Sequence, residues 1–222
     1  MISTQTEENY TKVIYQLASG KEWINTKELA ENMGIRPSSV TDMMQKLDSK
    51  GVVSYRKYKG VKLTSDGEKL ALDIIRKHRL WEVFLYRKLG FSWDEVHDIA
   101  EQLEHISSSE LVRRLDQYLD FPRLDPHGDP IPDDKGKIKR PKRKLLSDCV
   151  EGNQGQLVGV KDSSVDFLRF LEDRKLTLGI GLEVRSVHHF DSSMDLVLVD
   201  SGKVLNVSDR VTKNLYINTE NT

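Results

Sequence analysis

Cysteine occurs once in the 222 residues, as Cys149. One thiol can form neither an internal disulfide nor a zinc knuckle, so any metal site must be assembled from histidine, carboxylates and perhaps Asn or Met. Long apolar runs are missing too. Nothing approaches the roughly 18 to 20 residues of a membrane helix, and the opening MISTQTEENY lacks the basic start and apolar stretch of a signal peptide. A cytoplasmic protein with no membrane partner is expected. Aromatic residues make up 7% and hydrophobic residues 37%, with a mean hydropathy of −0.52, the profile of an ordinary soluble chain rather than a disordered one. Neither charge sign is in excess: 34 basic and 35 acidic residues leave a net −1. Taken globally this argues against nucleic-acid binding, but a whole-chain sum hides segregation along the chain.

Segregation is what the sequence has. From Arg36 to Lys62, seven bases face only Asp42 and Asp48, a stripe of +5. From Phe91 to Asp134, twelve carboxylates face three arginines, leaving −9, a segment that attracts cations. KGKIKRPKRK, Lys135 to Lys144, holds seven bases, no acid, and Gly136 and Pro141 as breakers, and reads as a flexible linker.

Tyr10, Val13, Ile14, Leu17 and Ala18 at helical spacing predict a first helix over 6–18. TKELAENM, begun at Asn25-Thr26, predicts a second, with Gly34 supplying a positive φ for the turn and Pro37 opening a third at its first turn. That third helix, Pro37 to Lys50, buries Val40, Met43, Met44 and Leu47, and Gly51 closes it. The β-prone runs 52–55 and 61–63 around RKYKG predict a hairpin, so the whole is a winged helix-turn-helix. Three capping boxes, Ser65 with Glu68, Ser92 with Glu95 and Ser107 with Glu110, predict helices over about 66–89, 93–106 and 108–119. Three prolines in DPHGDPIPD forbid a helix there. Beyond the basic run, short strands at 156–160, 182–187, 196–199 and 215–217 and one helix at 164–175 predict a small β-barrel. The expected fold is mainly α with a small β part: a winged-helix domain over 1–73, a helical domain over 74–134, the linker over 135–144, and a β domain over 145–222.

Two constellations carry chemistry. Reading duplex DNA needs short donors and acceptors on the N-terminal part of a groove-entering helix, and cations on flanking elements for phosphates. Ser38, Ser39, Thr41, Asp42 and Gln45, next to Pro37, offer the first; Arg36, Lys46, Arg56, Lys57, Lys59 and Lys62 offer the second. In the second constellation, Glu101, Glu104 and His105 fall at roughly +40°, −20° and +80° from His97 on a helical wheel, one stripe of potential metal ligands. The polar face of any amphipathic helix also collects glutamates, but His78 and Glu82 repeat the spacing on the preceding helix, and facing stripes of this kind build internal metal sites in helical proteins. His127 reads as a loop histidine, and His188-His189 as a strand edge.

PSSVTDMMQKLDSKG, the wing YRKYKGVKLTSDG, RKHRLWEVFL, EVHDIAEQLEHISSSE and PHGDPIP together resemble the diphtheria-toxin-repressor and manganese-transport-regulator family over nearly the whole chain. LSDCVEGNQGQLVGV and LRFLEDRKLTLGIGLEV resemble the SH3-like, FeoA-type domain of its longer members. The resemblance implies a homodimeric, metal-activated repressor that binds palindromic double-stranded operator DNA and controls manganese or iron uptake. It implies one metal site at His78, Glu82 and His97, to which the SH3-like domain adds a ligand, with Asp162 the candidate. It implies another at Glu101, Glu104 and His105, completed from the first helix. There, Asn9 stands where relatives have Asp or Met, and Lys12 stands where short manganese-responsive members have a second carboxylate, which disfavours a closely paired two-ion site. Glu101 replaces the cysteine of iron-responsive members. A donor set without sulfur makes Mn2+ the first expectation, Fe2+ the next, and Zn2+ a candidate in vitro.

The mechanism this predicts has an ion tie Asn9 to Glu101, Glu104 and His105 and so fix the angle between two winged helices on DNA. The alternatives are a metal-independent winged-helix regulator that senses a small molecule or protein through its C-terminal domain, and a metallohydrolase. The second lacks any nucleophile motif or Gly-rich phosphate loop, so no enzyme is expected.

Overall fold

The computed structural model describes residues 3–218, which divide into two compact units. The first comprises the described residues up to Arg79 with Glu101–Arg113 and Pro132–Ile138; the second comprises Leu80–Ala100, Arg114–Ile131 and the described residues from Lys139 onward.

The first unit opens with α1 (Gln5–Leu17), capped by a Thr4/Glu7 capping box that the hydrophobic pattern alone does not signal. α2 (Thr26–Met33), capped by the Asn25 side chain, ends at Gly34 with φ +66, and α3 (Pro37–Ser49) follows. The hairpin of β1 (Val53–Arg56) and β2 (Gly60–Leu63) completes the expected winged helix. Tyr10, Ile14, Leu29, Val40, Met44, Leu47, Val53 and Val61 form its core. The hairpin needs glycine at Gly60, where φ is +112 and a Cβ would lie 2.1 Å from the Ile24 carbonyl oxygen.

α4 (Ser65–Leu89) is the long helix expected, but its cap is one residue earlier: the Thr64 hydroxyl accepts the Gly67 N–H. α5 is shorter than its hydrophobic pattern, Val96–Leu103, although Glu95 does bind the Ser92 amide. Ser108, not Ser107, caps α6 (Ser109–Tyr118), and Glu110 pairs with Arg113. Glu104 and His105 therefore lie in a turn beyond α5 rather than on a helical stripe.

The second unit holds a six-stranded antiparallel sheet in the order β3 (Lys144–Leu145), β8 (Leu215–Asn218), β4 (Gln154–Val160), β5 (Gly181–Val187), β6 (Met194–Leu198), β7 (Val204–Val207), with α7 (Val165–Asp173) and the short α8 (Asp209–Thr212). The sheet is open, curled by register shifts at Leu157/Gly159 and Val184/Ser186. β3 and β7 were not anticipated: one has two residues, and the other, VLNV, buries only Val207. Leu146, Leu157, Leu168, Leu171, Leu182, Val184, Leu196, Leu215 and Ile217 fill the core, joined by Trp93. The basic run is not wholly loose. Asp133 Oδ1 accepts the Lys135 and Lys137 amides, and Lys144 begins β3.

Candidate metal centres and nucleic-acid interface

Within the first unit, one cluster joins α1 to the turn after α5. Glu104 is fully buried: Oε1 takes the Lys12 ammonium at 2.6 Å, and Oε2 lies 2.6 Å from His78 Nδ1. Lys12 Nζ reaches Glu101 Oε1 as well, at 3.2 Å, though Lys12 is only 6% exposed. His105 Nδ1 lies 2.6 Å from Glu8 Oε2, and its Nε2 faces Glu104 Oε1 at 3.8 Å. Burial alone would raise the Glu104 pKa, but His78 and Lys12 outweigh it and hold the carboxyl below its usual 4.5. The structure does not bring Asn9 here. At about 100° per residue, Glu8 and Lys12 share the face of α1 toward Glu104 and His105, while Asn9 falls off that face and is exposed.

The donors fit a hard divalent ion: carboxylates and imidazoles with no sulfur, two of the carboxylates already gathered on an ammonium.

A second cluster lies wholly in the second unit. Glu82 of α4, Asp125 and His127 are all buried and bring one ligand atom each within 4.8 Å of one another. Glu82 Oε1 is 3.7 Å from His127 Nδ1 and 3.5 Å from Nδ1 of the exposed His97. Burial disfavours the charged imidazole, but Glu82, Asp125 and the Trp93 carbonyl raise the His127 pKa from 6.5 to about 9. Thus His127 is no idle loop histidine. The sequence reads His127 as a loop histidine and does not single out Asp125, because both lie in a proline-rich loop with no periodicity; the signal available was two ligand-type residues two positions apart. Asp162, half-buried, caps the Ser164 amide rather than joining the cluster.

The loop that carries Asp125 and His127 is tightly held. Asp125 Oδ1 accepts the amides of His127 and Asp129, and Val160 N–H donates to the His127 carbonyl. Arg143, from the basic run, donates to the Gly128 carbonyl at 2.7 Å and to Asp129 at 3.2 Å while stacking 4.0 Å over Tyr216.

On the winged helix, Arg36, Pro37, Ser38, Ser39, Asp42, Gln45 and Lys46 are exposed, as are Arg56, Lys57 and Lys59 at the wing. Thr41 is half-buried and bonds back to the Pro37 carbonyl. Lys46 and Lys50 both approach Glu7, at 3.1 and 2.6 Å. Trp23, which sequence reading passed over, gathers three cations: its ring lies beneath Lys59, Lys62 and Arg56 at 4.3, 5.0 and 5.4 Å. No helix of the described residues is long and apolar enough to cross a membrane.

A winged helix with a cationic wing, followed by buried His/Glu clusters, defines a metal-dependent DNA-binding regulator. Comparison with known proteins agrees. Residues 1–61 match the domain described as iron dependent repressor, N-terminal DNA binding, and residues 64–133 match its metal binding and dimerisation domain. The chain is 37% identical over 112 residues to the HTH-type transcriptional regulator MntR of Lysinibacillus sphaericus, covering 50% of this chain and 80% of that one. It is 33% identical over 120 residues to MntR of Bacillus subtilis, covering 54% and 84%. Among solved structures, a manganese-dependent transcriptional repressor in complex with manganese superposes with a TM-score of 0.84 at 33% identity, covering 96% of this chain and all of that one. ScaR with bound Zn2+ does so at 0.75 and 35%, covering 96% and 99%. The chain belongs to the iron-dependent repressor family, that of the diphtheria toxin repressor and the manganese transport regulators. It is a homodimeric, metal-dependent transcriptional repressor and not an enzyme.

Proposed function

We propose that this chain is a manganese-responsive repressor of metal-uptake genes that binds a palindromic operator in the cytoplasm as a homodimer. Glu101, Glu104 and His105 hold one ion. Glu82, Asp125 and His127, with His97 beside Glu82, supply the ligands of a second centre. A bound divalent ion supplies positive charge where carboxylates gather.

The observation that carries the reading is the convergence of Glu104, Glu101 and His105 on α1, the first helix of the winged-helix core. Whatever changes the charge balance of that cluster acts directly on the DNA-binding fold. Hard donors and the manganese-bound relative support Mn2+ first and Fe2+ next; ScaR with bound Zn2+ supports zinc as an in vitro ligand. Ser39 and Gln45 face base edges, and Lys57 and Lys59 face phosphates. Paired half-sites follow from two-fold symmetry.

Operator binding titrated anaerobically with Mn2+, Fe2+ and Zn2+, against a chelator control, tests the reading. Binding that rises with Mn2+ and collapses with chelator is expected. Equal operator affinity with and without chelator would overturn it.

A further inference from the structure

Two residues one turn apart on α1 meet the Glu104/His105 cluster from the same side, and their chemistry is opposite. We propose that Glu8 and Lys12 together set the divalent-ion affinity of this centre. Glu8 orients His105 for the ion, and Lys12 is a tethered cation that competes with it. This rests on the reading of Glu101, Glu104 and His105 as ion ligands.

Glu8 comes first. Its Oε2 lies 2.6 Å from His105 Nδ1, so the proton of a neutral imidazole sits on Nδ1 and is donated to Glu8. The Nε2 lone pair is then presented on the Glu104 side, 3.8 Å from Oε1. A carboxylate behind a ligating histidine fixes tautomer and ring orientation and raises basicity, and removing such a partner costs about 10- to 100-fold in ion affinity. Glu8 is thus a positioning residue, linking α1 to the centre through His105 without touching an ion. Asn9 is exposed and lies off the face of α1 that Glu8 and Lys12 share.

Lys12 works in the other direction. Its ammonium holds Glu104 Oε1 at 2.6 Å and Glu101 Oε1 at 3.2 Å, the carboxylate oxygens a divalent ion would need. The same Glu104 oxygen faces His105 Nε2. A divalent ion must take these oxygens from the ammonium or share them at the cost of like-charge repulsion. With no ion, Lys12 also ties α1 to Glu104, a link that metal has been expected to provide. The threshold for metal then reflects competition with an internal cation rather than the bare affinity of the donors.

The test is direct Mn2+ binding by the full-length protein, read from the electron paramagnetic resonance signal of unbound Mn2+, with circular dichroism confirming each fold. Glu8→Leu should weaken one class of bound ion by about 10- to 100-fold. Glu8→Gln, which still accepts the Nδ1 proton, should recover most of that loss. Lys12→Met should strengthen the same class by about tenfold or more, and Asn9→Ala should leave it unchanged. Shifts of opposite sign from neighbours on one helix cannot come from general loosening of the fold. Asn9→Ala weakening the ion while Glu8→Leu does not, or Lys12→Met leaving affinity unchanged or lower, would overturn the proposal. Glu104→Ala separates the two levels. If it abolishes that ion class while the α1 variants shift nothing, this inference alone fails; if it too changes nothing, the ligand reading fails.

Discussion

The two ligand clusters are built on opposite principles. In the first unit, His78 from α4, Glu101 from α5 and Glu104 and His105 from the turn after it gather beside a lysine side chain that can swing away on four methylenes. In the second, Asp125 and His127 belong to one loop whose backbone is fixed by an Asp125 turn, a bond from Val160 and the Arg143 clamp. Flexible side chains around a place-holding ammonium suit a centre that changes its contacts when an ion arrives. A loop held by backbone suits a centre already near its final geometry, which loses less entropy on binding. The first cluster is therefore the candidate sensor and the second the candidate standing site.

The largest effect that would break this comparison is expected at Glu104. Glu104→Ala removes the partner of both Lys12 and His78 and should abolish metal-stimulated operator binding in a mobility-shift titration. Glu82→Gln, in the other cluster, should only weaken the Mn2+ response. If Glu82→Gln abolishes the response while Glu104→Ala spares it, the roles are reversed.

Next in size is Gly128→Ala. Gly128 has φ +84, and a Cβ there would lie 2.1 Å from the Val158 carbonyl oxygen. The loop must move, and the left-handed backbone alone costs about 1 kcal/mol or more. The expected outcome is a lower melting temperature and loss of the ion class held by Glu82, Asp125 and His127, with the other class intact. Arg143→Met should act more mildly on the same loop, lowering that affinity several-fold, because the Asp125 turn and the Val160 bond remain. Parallel losses in both ion classes would show that the sheet supports the whole molecule rather than this loop.

The sequence carried the winged helix because amphipathic periodicity and glycine or proline punctuation are local signals. It misplaced the reach of α5, since a wheel drawn through Glu104 and His105 assumes a helix, whereas α5 ends at Leu103. It favoured Asn9 over Glu8 because resemblance aligns positions, whereas which side chain faces a cluster depends on the rotation of α1 against its neighbours. Asp125 and His127 were invisible to periodicity, as their meeting with Glu82 depends on a loop closed by non-local backbone contacts. Trp23 reads as an ordinary apolar residue until the wing folds over it.

The smallest effect concerns how α1 divides its acids between two tasks. Glu7, next to Glu8, turns away from the ion cluster and receives Lys50 at 2.6 Å and Lys46 at 3.1 Å from α3. Burial alone would raise its pKa, but the bonds from Lys50, the Thr4 amide and Lys46 bring it from 4.5 down to about 2. A folded pKa below the unfolded one contributes stability that is fully present above about 4.5 and is lost as pH falls through 4.5 toward 2. Glu7→Gln should therefore unfold more easily at pH 7 and show a shallower loss of stability across that acid window, measured by urea titration at several pH values. Its Mn2+ affinity should stay as it was, because Glu8 and Lys12 keep their own face of the helix. A Glu7→Gln variant with native acid sensitivity would remove the Glu7 ion pair from the stability of the DNA-binding fold. One with altered Mn2+ affinity would show that the two faces of α1 are coupled, and the sensor would then extend into α3.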